Sequence, residues 1–234
     1  MNRQSLRNKL LDLFFPPRCV ICNAIVHSGA CVCGKCNDKV FLLDDIQTAK
    51  VKNENFDGIC IAPYLYDDKI KELMIAYKFQ QKTQYARLFG EKLAEALIKK
   101  GVVSNFELIT CVPISKERFK ERGYHQSKLI AKYVAECLNL PYIDCILKIK
   151  HNGEQHLLNV AKRKENVKGV YDMRENKHIT NKKLLLIDDI VTTGYTLAEC
   201  AALLKKKGVK SVLCGAVAYR PNIYLNDQNP FIMV

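Results

Sequence analysis

The chain has 234 residues, 48% of them hydrophobic, and 37 Lys and Arg against 24 Asp and Glu give it a net charge of +13. That length and apolar content exclude a disordered tail and suffice for one ordinary α/β core with a small appendage. The positive balance suits polyanionic partners, phosphorylated metabolites or nucleic acid, without choosing between them. Residues 1–50 hold 7 basic and 4 acidic side chains, so +10 of the charge lies in the remainder and no dedicated basic arm stands out.

In chain order, Leu6, Leu10, Leu13 and Phe14 predict a one-sided apolar helix that Pro16 and Pro17 stop. Asn8, Lys9 and Asp12 interrupt the stretch and no small-residue cleavage site follows, which argues against a signal peptide. Nowhere do the roughly 18 apolar residues of a membrane span run together. A cytoplasmic protein is expected. Of the 11 cysteines, Cys19, Cys22, Cys31, Cys33 and Cys36 crowd into one short stretch while the others are scattered singly. That distribution favours a metal site in a reducing compartment over a disulfide framework.

Cys19-x2-Cys22 and Cys33-x2-Cys36 offer two thiolate pairs with the same bite, as tetrahedral zinc requires. A structural zinc would supply folding energy that so short a segment with few large apolar groups lacks. Cys31 and His27 compete for the fourth position, and redox-active thiols are the alternative. The polar run Asp44 to Asn55 predicts a linker, which divides the chain into residues 1–50, helix and ribbon, and residues 51–234.

From Phe56 onward strands and helices alternate, the pattern of an α/β fold whose open, mainly parallel sheet is flanked by helices. Asp67 or Asp68 can cap a helix carrying Ile70, Leu73, Met74 and Tyr77, and Thr83 can cap another carrying Leu88, Phe89, Leu93 and Leu97 before Gly101. A third carries Leu129, Ile130, Tyr133, Val134 and Cys137, and a fourth runs from Thr196 to Lys207 with Gly208 as its stop. Leu108 to Ile114, Leu184 to Ile187 and Val209 to Val217 predict buried strands.

The densest chemistry lies at Leu184-Leu-Leu-Ile-Asp188-Asp189-Ile-Val191-Thr192-Thr193-Gly194-Tyr195-Thr196. A buried strand delivers two adjacent carboxylates to its carboxyl end, the edge where open α/β sheets bind ligands. Backbone amides of residues 191–196, the hydroxyls of Thr192, Thr193 and Thr196, and a helix N-terminus can surround one phosphate, with Gly194 permitting close approach. The carboxylates would then face hydroxyl groups, and a sugar phosphate meets both demands. The plainer alternative is that Asp188 and Asp189 end a strand and cap a helix. A nucleotide triphosphatase strand would need a companion G-x-x-x-x-G-K-[ST] loop, and the sequence has none.

Asp188-Asp189-Ile-Val-Thr-Thr-Gly-Tyr-Thr196 resembles the phosphoribosyl diphosphate signature of type I phosphoribosyltransferases, and the chain as a whole resembles the ComF-type competence proteins. The likeness takes in the cysteine ribbon, Tyr77-Lys78-Phe79, the stretch from Val112-Pro113 to Arg122-Gly123-Tyr124-His125-Gln126, Gln155-x2-Leu158, Arg163-x2-Asn166 and the signature. It implies a type I phosphoribosyltransferase-like domain behind a zinc ribbon. By that resemblance Asp188 and Asp189 hold the ribose hydroxyls, residues 191–196 cradle the 5-phosphate, and Arg118, Arg122 and Gly123 sit where such enzymes grip diphosphate. A solvated helix face pairing Arg118 and Arg122 with Glu117 and Glu121 competes with that role. The family usually reads Arg-Gly-Phe-Asn-Gln where this chain has Tyr124 and His125, and Lys148 and Asn152 replace its usual Arg and Thr. His125 is read as a hydrogen-bonding stand-in, against a proton-handling role.

Two functions follow from the resemblance. One is a Mg²⁺-dependent phosphoribosyltransferase that transfers a pentosyl group, the ion bridging diphosphate and ribose hydroxyls. The other is a non-catalytic module of DNA uptake that senses a phosphorylated ligand or single-stranded DNA and docks a helicase partner through its ribbon. An acceptor pocket would separate them, and Tyr124, His125 and Gln126 are the candidates for it.

Overall fold

The computed structural model describes residues 16–27, 30–40, 43, 45–149, 169–174 and 177–221. The expected N-terminal helix, Asn152, the Gln155-x2-Leu158 and Arg163-x2-Asn166 elements and the residues after Pro221 lie outside that set. Two knuckles build the ribbon. In the first, Arg18 bridges Ile25 across a turn in which Asn23 takes φ 62° and its amide donates to the Cys19 carbonyl at 2.9 Å. In the second, the Cys36 amide donates to Cys33 at 3.1 Å as α1 (Gly34–Val40) begins.

The larger unit is built on a mixed, mostly parallel sheet. Its strands are β1 (Gln47–Lys52), β2 (Asp57–Ala62), β3 (Tyr64–Leu65), β4 (Leu108–Cys111), β7 (Lys183–Val191) and β8 (Ser211–Tyr219), while β5 (Ile146–Lys148) and β6 (Tyr171–Met173) pair antiparallel by themselves. The order is β1-β2-β8-β7-β4, with β3 alongside β8; only the β1–β2 pairing within it is antiparallel. Around it lie α2 (Asp68–Phe79), α3 (Tyr85–Lys99), α4 (Lys116–Arg122), α5 (Gln126–Leu138) and α6 (Tyr195–Lys206). Successive side chains of β7 point to opposite faces. Leu185 and Ile187 enter a core shared with α2, α3 and α5, and Leu184 and Leu186 enter a second core shared with α6. Two covered faces explain why the central strands read as unbroken apolar runs.

Three expectations change. The segment from Asp44 to Asn55 is no linker: β1 occupies half of it and pairs with β2 from Gln47↔Ala62 to Lys52↔Asp57. Ala49 and Val51 turn inward while Lys50 and Lys52 stay exposed, so the strand crosses the position at which composition divides the chain. Thr83 does not cap α3. That helix starts at Tyr85 behind Gln84 with no side-chain cap, and Thr83 contributes only its carbonyl, to the Ala86 amide at 2.9 Å. The strand expected from Leu108 to Ile114 ends at Cys111, and after Pro113 the chain forms α4, capped by the Ser115 hydroxyl on the Arg118 amide at 3.2 Å and closed by Gly123 at φ 77°.

The helices meet closely where a side chain is missing. A Cβ at Gly90 on α3 would stand 2.5 Å from the Cβ of Tyr133 on α5. The ribbon packs on the same side: Val20, Ile21, Cys31 and Val32 rest against the α2/α3/α5 core, and the Tyr85 hydroxyl donates to the Val20 carbonyl at 2.8 Å.

Candidate functional site

Asp188 and Asp189 lie within β7, near its carboxyl end, and their side chains have unlike surroundings. The Ser127 hydroxyl on α5 donates to Asp188 Oδ1 at 2.9 Å, and the Asp189 amide donates to the same oxygen at 2.8 Å. Asp189 Oδ2 instead faces Lys78 Nζ on α2 at 2.8 Å, an ion pair whose side chains are 15% and 16% exposed. Burial, and next the charge of Asp189, push the Asp188 carboxyl up to about 7. Burial also opposes ionisation of Asp189, but Lys78, through charge and hydrogen bond, with help from Arg122, holds that carboxyl below its usual range.

Val191 is the last residue of β7: its side chain is buried in the α6 core and its carbonyl accepts from the Arg220 amide at 2.8 Å. Thr192 and Thr193 form the turn, Gly194 precedes α6 at φ 73°, and Tyr195 and Thr196 open the helix, whose first amides have no intrahelical acceptor. A Cβ on Gly194 would meet the Lys50 carbonyl oxygen at 3.1 Å and Val51 Cα at 3.2 Å. β1 therefore backs the turn directly. Glu199 on α6 fixes this arrangement by accepting from Asn53 Nδ2 at 3.3 Å and from the Gly169 amide at 3.1 Å.

Arg118 and Arg122 leave the same helix for different neighbours. Arg118 is half-buried near Lys148 and Tyr171, and the Tyr171 phenol reaches the Thr196 hydroxyl. Lys148 Nζ lies 5.9 Å from the centroid of the Tyr171 ring, and burial followed by the charge of Arg118 lowers its pKa. Arg122 is buried, with its guanidinium 5.1 Å from the centroid of the Phe79 ring and close to the charge of Asp189. A solvated helix face does not describe it. Gly123, at the left-handed C-cap of α4, lets the chain turn into α5.

His125 sits at the N-cap of α5, its Nδ1 3.2 Å from the Lys128 amide and its Nε2 3.3 Å from the Ile114 amide. A neutral imidazole accepts at one nitrogen only, so one of these contacts is a hydrogen bond at a time. Burial, then the Lys128 ammonium, push its pKa down to about 4, and the ring is neutral. It does the work of an N-cap asparagine. Gln126 is 0% exposed, and the Tyr124 ring packs 5.5 Å from that of Tyr77.

Lys78 and Ser127 carry the site's asymmetry, and of the two only Lys78 falls in a segment that the resemblance takes in. Lys78 occurs in the Tyr77-Lys78-Phe79 stretch, but its partner is 111 positions away in sequence, and the fully buried Tyr77, whose hydroxyl donates to the Gln126 carbonyl at 2.9 Å, helps to fix that end of α2.

In the ribbon, Cys19, Cys22, Cys33 and Cys36 bring four sulfurs within 4.8 Å of one another, a donor set fitted to structural zinc. Cys31 is outside it; burial, then Glu91, push that thiol up to about 11. His27 is exposed and also outside the cluster. No helix among the described residues is long and apolar enough to cross a membrane.

Comparison with known proteins matches residues 124–234 to the phosphoribosyl transferase domain family and residues 10–46 to the double zinc ribbon domain family. Competence protein F of Haemophilus influenzae is 26% identical over 219 residues, covering 85% of this chain and 95% of that protein. Competence protein ComFC of Bacillus subtilis is 30% identical over 145 residues, covering 62% of this chain but only 57% of the relative's length. Among solved structures, the glutamine phosphoribosylpyrophosphate amidotransferase of B. subtilis aligns with 56% of this chain and 25% of its own, at 19% identity and a TM-score of 0.38. With a double zinc ribbon ahead of a phosphoribosyl transferase domain, and with competence proteins as its relatives, the chain belongs to the ComF-type competence protein family.

Proposed function

We propose that the chain binds phosphoribosyl diphosphate with Mg²⁺ at the carboxyl edge of β7, as a ligand-binding component of DNA uptake. The observation that carries this reading is the junction of an unequal acid pair with a threonine-glycine turn and a helix N-terminus at one strand end. Asp188 and Asp189 take the ribose hydroxyls, the turn and first helical amides from Thr192 to Thr196 take the 5-phosphate, and Arg118 beside Lys148 takes the diphosphate. Asp189 is already neutralised by Lys78, which leaves Mg²⁺ to be held mainly by the ligand's own oxygens, where it offsets the diphosphate charge.

Binding without pentosyl transfer is favoured by the state of the three candidate acceptor residues. His125 is a neutral helix cap, Gln126 is fully buried and Tyr124 packs on Tyr77. Single-stranded DNA and a helicase remain the partners proposed for the whole protein, in keeping with the competence proteins it resembles.

Calorimetric titration with phosphoribosyl diphosphate and Mg²⁺ tests the reading. Removing negative charge beside a polyanion would tighten binding if long-range electrostatics ruled. The ribose clamp demands the opposite: Asp188→Asn with Asp189→Asn abolishes binding while zinc content and fold are kept. An unchanged or tighter Kd in the double variant removes the clamp. Incubation with a panel of bases separately reads transfer, through release of diphosphate.

A further inference from the structure

We propose that Lys78 is the positioning residue that makes the acid pair unequal, pinning Asp189 as a permanent anion for the ribose hydroxyls and leaving Asp188, held through one oxygen by Ser127, as the proton-bearing member. The inference rests on the binding function proposed above and goes beyond it by dividing the two carboxylates between two tasks and by naming the group that divides them.

Two carboxylates on adjacent residues of one strand, alike in chemistry, would ordinarily share a proton as a pair. Here they are approached from different elements. The only cation within ion-pair distance of either, among the described residues, is Lys78, and it meets Asp189 Oδ2. The hydrogen bonds to Asp188 from the Ser127 hydroxyl and the Asp189 amide both fall on Oδ1. That leaves Oδ2 of Asp188 for a ligand hydroxyl or a proton.

The other charged and titratable groups around the pair strengthen the division. Asp189 is faced by Lys78 and Tyr77 of α2, Arg122 of α4, Tyr124 and His125 of the turn into α5, and Tyr66 after β3. Besides Lys78, the groups around Asp188 are the buried thiols Cys60, Cys111, Cys200 and Cys214, from β2, β4, α6 and β8. Lys148 and Tyr171, from the β5–β6 ribbon, complete its surroundings. Lys78 and Arg122 therefore stand on the Asp189 side, whereas Asp188 lies over neutral, desolvating thiols with the partly buried Lys148 farther out than ion-pair distance. The placement of Lys78 is not left to a loose side chain, because Tyr77 next to it is fully buried and hydrogen-bonded to Gln126. The consequence is the opposite displacement of the two carboxyl groups, Asp188 upward and Asp189 downward.

The test follows aspartate carboxyl carbons by ¹³C nuclear magnetic resonance in the zinc-loaded, ligand-free protein between about pH 5 and about pH 8, with Asp188→Asn and Asp189→Asn providing assignments. In the wild type Asp188 titrates inside the window and Asp189 stays ionised throughout. Lys78→Met brings the Asp189 titration into the window, and Lys78→Arg, which keeps the charge, restores the wild-type pattern. Lys78→Gln serves in place of Lys78→Met if the latter does not fold. The binding arm uses phosphoribosyl diphosphate with Mg²⁺: Lys78→Met loses roughly tenfold more affinity at the acidic end of the window than at the alkaline end. An Asp189 that stays ionised in Lys78→Met, or an affinity loss equal at every pH, overturns the proposal, since a lysine that merely filled space or attracted the polyanion would give those results. If the carboxyl titrations move as expected but the wild type binds no phosphoribosyl diphosphate, the division of the pair stands and the proposed ligand fails.

Discussion

At the level of single residues, the site is held in a state that favours a ligand over the fold. Asp188 has a folded-state pKa raised to about 7, so its protonated form is the one the protein stabilises. For a carboxyl shifted in that direction, stability is greatest below the unfolded value near about 4 and is lost as the pH rises toward the folded value. Asp188→Asn keeps an oxygen to accept from Ser127 and the Asp189 amide but cannot ionise. The variant is therefore expected to gain stability over the wild type as the pH rises from about 4 to about 7, by up to about 4 kcal/mol at the plateau, roughly 1.4 kcal/mol for each pH unit. Denaturant unfolding at both ends of that range checks it. His125, whose pKa is lowered to about 4, loses stability as the pH falls, but it does so in both proteins and cancels from the difference. A variant with the same advantage at every pH would mean that Asp188 does not titrate in the folded protein.

Among the elements, the closest approach is that of α3 and α5, and it depends on an absent side chain. Gly90→Ala should gain about 1 kcal/mol of helix propensity if the position were free. It is not free, since the new Cβ would stand 2.5 Å from the Cβ of Tyr133 and 3.1 Å from the Ile130 carbonyl oxygen. Overpacking of that kind costs typically 1–3 kcal/mol, roughly equal to or greater than the propensity gain, so we expect net destabilisation and a lower Tm. A stabilised Gly90→Ala would show that the helices can part at no cost. The same elements show what the sequence could reveal. The central strands and α2, α3, α5 and α6 were readable because burial on both sheet faces or on one helix face writes long apolar patterns. The acid pair and the turn after it were readable because they are contiguous. β1 was not, because an edge strand alternating Ala49 and Val51 with exposed Lys50 and Lys52 carries too little apolar signal to separate it from a linker. Lys78, Ser127 and the inward turn of Arg122 were hidden for another reason: each owes its role to a partner far along the chain, and no local spacing records such a meeting.

Across the whole molecule, the ribbon and the ligand edge occupy separate parts of one structure, and that separation can be measured. Zinc held by the four-cysteine cluster would supply the ribbon with folding energy on the order of 10 kcal/mol. Its contact with the larger unit runs through Val20, Ile21, Cys31 and Val32, against the α2/α3/α5 core, and through the Tyr85 hydroxyl of α3. The acid pair, Lys78 and the turn from Thr192 to Gly194 rest on α2, α4, α5 and β1. Cys33→Ser should therefore abolish zinc binding and lower the Tm while leaving the affinity for phosphoribosyl diphosphate within about threefold, a change below 1 kcal/mol. Cys31→Ser separates the metal from the packing. Its thiol is outside the sulfur cluster and packs against the core, so one zinc per chain should remain while stability falls by about 1 kcal/mol from burying a hydroxyl in place of a thiol. Elemental analysis and thermal melting of both variants decide the assignment: zinc retained by Cys33→Ser and lost by Cys31→Ser would exchange the roles of the two cysteines. Loss of ligand binding in both would mean that the ribbon supports the ligand edge through α3 after all.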